Sequence, residues 1–71
     1  MGVEAIKKNE SKELQFSKTT IIQPDSDIFL IDDNGANIEV RMKTIMRFGA
    51  GQKVKITAKA AEVNINIVEV E

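Results

Sequence analysis

The stretch from Asp27 to Met42 constrains the fold more than any other. An apolar run, Ile28-Phe29-Leu30-Ile31, is followed by Asp32-Asp33-Asn34-Gly35 and then by the alternation Ile38-Glu39-Val40-Arg41-Met42. That order predicts a β-hairpin, because Asn-Gly supplies the positive φ angles that a tight primed turn requires. Side chains alternate across a strand, so Ile38, Val40 and Met42 should share one face and Glu39 and Arg41 the other. A second alternation begins at Lys53. Val54, Ile56 and Ala58 fall on one side, with Lys53, Lys55, Thr57 and Lys59 on the other, which predicts a further strand with one wet face.

Other segments read differently. Lys43-Thr44-Ile45-Met46-Arg47-Phe48 is closed by Gly49-Ala50-Gly51. Thr44 suits a helix N-cap and either glycine suits a left-handed stop, so one or two helical turns are expected between them. Residues 11–22 place Leu14, Ile21 and Ile22 on one helical face, although Lys18 interrupts it and Thr19-Thr20-Ile21-Ile22 favours strand. Pro24 ends whatever precedes it. Residues 62–71 alternate as a strand does and are rich in β-branched side chains.

Composition narrows the function. A chain of 71 residues predicts a single domain, 1–71, which buries only roughly 60% of its unfolded surface. It has neither Cys nor His. No disulfide can form, a zinc site would have carboxylates alone, and the commonest general base and the thiolate nucleophile are missing. We therefore expect no enzyme, no metal and no cofactor. Gly49-Ala50-Gly51 lacks the Lys-Ser/Thr that completes a phosphate-binding loop, and the pairs Asp25/Asp27 and Asp32/Asp33 fit turn chemistry better than an acid–base dyad. No apolar run approaches the roughly 20 residues that span a bilayer, and the start of the chain lacks a signal peptide's apolar centre. No membrane association is expected, and the expected location is the cytoplasm.

The net charge of −1 conceals a segregation. Asp25, Asp27, Asp32, Asp33 and Glu39 precede a basic stretch containing Arg41, Lys43, Arg47, Lys53, Lys55 and Lys59. Two readings fit: cross-strand charge pairing within one sheet, each exposed pair adding a few tenths to about 1 kcal/mol, or a basic surface facing an acidic partner. Nucleic acid as that partner is disfavoured by the aromatic content of 4% and the absence of Trp and Tyr.

Taken in order, Asp25-Ser26-Asp27-Ile28, Asn34-Gly35, Lys43-Thr44-Ile45-Met46, a glycine, and Lys53-Val54-Lys55-Ile56-Thr57-Ala58 resemble HPr, the histidine-containing phosphocarrier family of the bacterial sugar phosphotransferase system. The likeness covers residues 25–58. It implies an α+β open-faced β-sandwich, a four-stranded antiparallel sheet with three helices on one face: a first strand near Gly2–Lys8, helices near Ser11–Ile22 and after Thr44, and a last helix near Ala60–Val70. The family's Gly-Leu-His-Ala-Arg-Pro is absent; the alignable stretch is Asn9-Glu10-Ser11-Lys12-Glu13-Leu14-Gln15-Phe16. Phosphate transfer through histidine is thus not expected. The resemblance implies instead a noncatalytic regulatory or adaptor protein that binds phosphotransferase-system or carbon-catabolite-control proteins. Thr44 occupies the place of the family's regulatory Ser, where a phosphate would meet a helix N-terminus between Lys43 and Arg47, or where Thr44 is simply an N-cap. Lys43, Ile45, Met46, Arg47 and Phe48 are the partner-binding candidates, with a core role open to the apolar ones.

An open-faced sheet has one uncovered side. Ile28 and Leu30 would share the covered side with Ile38, Val40, Val54 and Ile56, which leaves Phe29 and Ile31 on the open one. Exposed apolar clusters mark interfaces, so a homodimer or assembly contact through Phe29 and Ile31 is the alternative function. The competing reading is that the stems of Lys55 and Arg41 cover the pair.

Overall fold

The computed structural model describes residues 2–70. They form eight strands: β1 Gly2–Ile6, β2 Ser11–Gln15, β3 Thr20–Pro24, β4 Ile28–Ile31, β5 Asn37–Val40, β6 Met46–Phe48, β7 Lys53–Ala58 and β8 Val63–Glu69. These build two antiparallel four-stranded sheets, ordered β1-β8-β3-β6 and β2-β7-β4-β5. The pairings are concentric, β4 with β5, β3 with β6, β2 with β7 and β1 with β8. One long hairpin centred on the β4–β5 turn is rolled over itself, and the β3–β8 and β4–β7 pairings close each sheet. This is the jelly-roll arrangement, in which two packed sheets bury their facing sides.

The fold overturns the α+β expectation. Among the described residues there is no helix, so no helical layer lies over a single sheet. The inward partition holds nonetheless: Ile28 pairs beside Val40 and Ala58, and Leu30 beside Ile38 and Ile56. What covers these side chains is the second sheet, through Ile6, Ile22, Val63 and Ile65.

Each expected helix is a strand for a local reason. Residues 11–22 split at Phe16–Thr19, where Phe16 exchanges backbone hydrogen bonds with Gly51 and Gln52. Thr20 and Ile22 then face inward, at 1% and 0% exposure. Their β-branched side chains fit a pleated surface better than a helix. Thr44 lies in the connection 41–45 and caps no helix. The next residues, Met46–Phe48, pair with Ile22–Thr20 instead, because a segment this short cannot offset the cost of helix nucleation. In β8, Val63, Ile65 and Ile67 alternate inward between Asn64 and Asn66, so the local pattern prevails over the helix the resemblance implied. The strand expected near Gly2–Lys8 is β1.

The hairpin is present with a different turn. Its connection runs from Asp32 to Ala36, and only Gly35 takes a positive φ, +80°; Asn34 does not. Asp32 organises it: one carboxylate oxygen accepts the backbone N–H of Asn34 and of Ala36, at 2.9 and 3.0 Å. The other acids of this stretch also hold backbone. Asp25 accepts the Asn64 N–H at 2.8 Å, Asp27 that of Met42 at 2.9 Å, and Asp33 that of Lys53 at 3.0 Å. The acidic run therefore fastens loops at both ends of the sandwich.

Candidate open mouth between β5 and β6

A two-sheet sandwich has two lateral mouths where its edge strands face each other. At one of them, β1 and β2 turn a charge inward: Glu4 pairs beside Ile65, and Lys12 beside Ile56. The two meet as an ion pair at 2.7 Å, a polar stopper of the kind that blunts sheet edges.

The other mouth, between β5 and β6, is apolar and open. Ile38 is paired beside Leu30 and so faces inward, yet it remains 44% exposed while Leu30 is 2% exposed. The opening is a cleft of about 560 Å³ whose floor and walls are Leu30, Ile38, Val40, Met46 and Phe48, with Asp32, Glu39, Arg41, Thr44 and Arg47 at the rim. Phe48 is braced from within by Phe16, the rings stacked at 5.2 Å and 11°.

The rim's charges are unequally engaged. Glu39 is ion-paired with Lys59, and Asp32 is committed to its own turn. Among the described residues the ion pairs are Lys12–Glu4 and Lys59–Glu39, so Arg41 and Arg47 have no carboxylate partner. The cleft thus presents an apolar floor beside two available guanidinium groups.

Four of the residues singled out from sequence, Thr44, Met46, Arg47 and Phe48, converge on this cleft. Thr44 is an exposed rim residue without the helix N-terminus that would have received a phosphate. Lys43 and Ile45 lie outside the lining. Lys43 takes a positive φ of 68°, its N–H donates to the Pro24 carbonyl at 2.7 Å and its own carbonyl accepts from Gln23 at 3.0 Å. Ile45 is 67% exposed. Sequence reasoning missed Ile38, which alternation assigns correctly to the inner face without revealing that the sandwich opens there. It places Arg41 in the basic stretch and as a cover for Phe29 and Ile31, not at a mouth. The basic stretch forms no continuous surface: Lys53 and Lys55 alternate on the outer face of β7, Lys59 is held by Glu39, and Arg41 stands at the mouth.

Phe29 and Ile31 occupy the outer face of the β2-β7-β4-β5 sheet, 37% and 36% exposed. The Lys59 ammonium sits 5.2 Å from the centre of the Phe29 ring, and Thr57 and Lys55 flank the two residues on β7. Of the two, Phe29 lies under a lysine, and that lysine is Lys59, ion-paired with Glu39 on β5; Ile31 is paired beside Lys55.

Among the described residues, no group of three or more acidic side chains could hold a metal ion, and no helix is long and apolar enough to cross a membrane. In comparisons with known proteins, no family, no curated protein and no solved structure matches the chain. The phosphocarrier resemblance rests on its short motifs alone, and the helical layer it implies is absent among the described residues.

Proposed function

We propose that this chain is a noncatalytic binding module that docks a protein partner at the mouth between β5 and β6. One observation carries the reading: Ile38, an inward-facing core position, is left nearly half exposed over a floor of buried Leu30 and Val40. An apolar surface left accessible in this way is a cost unless a partner covers it. Catalysis has little to draw on, since the chain lacks His and Cys and the loop carboxylates are occupied with backbone amides. The specific link to sugar uptake or catabolite control is not part of the proposal, because the sheet-and-helix scaffold behind it is missing.

The reading is tested with a photo-crosslinking amino acid placed at position 38 and, separately, at position 13 on the outer face of β2, in cells that make the protein. A discrete crosslinked protein at 38 and not at 13 is expected. Equal labelling at both sites, or none at 38, would remove the mouth as the docking site.

A second reading, self-association, has its own observation. The outer face of the β1-β8-β3-β6 sheet carries Val3, Ala5, Ile21, Gln23, Asn64, Asn66 and Val68, with charges at its margins: Arg47 on β6, Asp25, bound to Asn64, and Lys43, whose carbonyl accepts from Gln23. The opposite sheet's outer face, where Phe29 and Ile31 lie, carries Glu13, Glu39, Lys53 and Lys55. A two-fold contact sets a patch against itself, which an uncharged face tolerates and a charged one resists.

A further inference from the structure

The geometry points to the chemistry of the partner: the mouth receives an extended peptide segment in which apolar side chains alternate with carboxylates. This rests on the docking reading above and specifies what docks. β5 and β6 are edge strands, each paired on one side only, so both lips of the cleft offer unpaired backbone groups to an incoming extended chain, the mode of recognition by strand addition. In an extended chain alternate side chains point the same way. One set enters the cleft against Ile38, Met46 and Phe48, and the other stays at the rim.

The rim decides the sign of that second set. Its two acids are engaged, Glu39 by Lys59 and Asp32 by backbone amides, while Arg41 and Arg47 have no acidic partner among the described residues. A guanidinium group forms its strongest hydrogen bonds with a carboxylate, in a two-pronged geometry. Lys43, in the connection between the two strands, adds a further cation close by in the chain. A basic segment would meet the two guanidinium groups at a rim whose carboxylates are already engaged, and a neutral one would leave both guanidinium groups unused.

The test titrates the isotopically labelled protein with three blocked hexapeptides, alternating Val-Glu, Val-Gln and Val-Lys, and follows the amide and methyl resonances. With Val-Glu, shifts are expected at Ile38, Met46, Arg47 and Phe48 and not at Glu13 or Lys55. Affinity should fall as salt rises. The double substitution Arg41→Gln with Arg47→Gln should weaken Val-Glu binding about tenfold, two partly screened charge-assisted bonds being lost, and should weaken the poorer Val-Gln binding far less. Equal binding of Val-Gln and Val-Glu at the mouth would overturn the acidic assignment and leave the docking reading standing. No shift at the mouth with any peptide would overturn both. Concentration-dependent shifts at Ile38 without peptide, together with a dimer in sedimentation, would give the mouth to a second copy of the chain instead.

Discussion

Two isoleucines on one sheet show how differently an inward-facing position can be used. Ile56 on β7 is fully buried, and Ile38 on β5 stands at the mouth with 44% of its surface wet. Truncation of a buried isoleucine costs about 2–5 kcal/mol through lost burial and the cavity left behind. A chain of this length has a total stability of about 4–11 kcal/mol. Ile56→Ala is therefore expected to bring the protein close to unfolding at room temperature, whereas Ile38→Ala should cost about 1 kcal/mol or less; urea titration of both variants measures the contrast. A loss of 3 kcal/mol or more at Ile38 would mean that the mouth is closed in solution. Gly35 poses a separate question of backbone. Nothing lies within 4 Å of a Cβ built there, but φ is +80°, so Gly35→Ala should cost about 1–2 kcal/mol from conformation alone, and Gly35→Asn less. Urea titration of the two Gly35 variants measures whether the turn is held by the glycine or reshapes around a side chain.

At the scale of the strand, the two mouths of the sandwich are a natural comparison. The Glu4–Lys12 pair is 38% and 46% exposed at its two side chains, so it contributes little to stability, within the 0–1 kcal/mol typical of surface pairs. Its weight lies in keeping the β1 and β2 edges from joining other strands. Replacing both residues with valine should leave the melting temperature nearly unchanged and cause concentration-dependent association, visible by light scattering; unchanged solubility would deny the pair that role. Which strands are legible from sequence follows from the same alternation. β5 and β7 are, because apolar and polar residues alternate there without interruption, and β4 is, as an apolar run set directly before a turn. β8 is legible in its own Val63-Asn64-Ile65-Asn66-Ile67 pattern, which the likeness to a helix-bearing family contradicts. β2 and β6 are not legible. Leu14 is the one inward apolar residue in β2, and β6 has three residues, so neither holds enough alternation to be distinguished from a turn of helix. The mouth is legible in part: Met46, Arg47 and Phe48 are partner-binding candidates through the phosphocarrier resemblance, but Ile38 and Arg41 join them only because β5 and β6 lie on facing edges, which no local pattern encodes.

The concentric pairing of β1 with β8, β2 with β7 and β3 with β6 joins residues distant in sequence, and folds dominated by such contacts form in milliseconds to seconds, more slowly than helical chains of equal length. The same topology gives the molecule two broad outer faces of opposite character. One carries acids and bases interspersed around the Lys59-covered Phe29. The other sets Val3, 61% exposed, beside Asn66 and Gln23, and Val68, 38% exposed, beside Ile21. If the uncharged face associates with its own copy, a charge introduced near its centre meets the same charge across the two-fold axis and is buried against it. Asn66 is the position to choose, since it sits between Val3 and Gln23 on the central strand pair and is itself exposed. Sedimentation at rising concentration is expected to show a dimer for the natural sequence and a monomer for Asn66→Lys, whereas Lys55→Glu on the other sheet should leave the dimer intact. The contact is expected to be weak, because four short strands offer less than the roughly 800 Å² per partner of a standard interface. A monomer at every concentration would confine recognition to the mouth, and a dimer lost with Lys55→Glu but not with Asn66→Lys would return the contact to the face bearing Phe29 and Ile31.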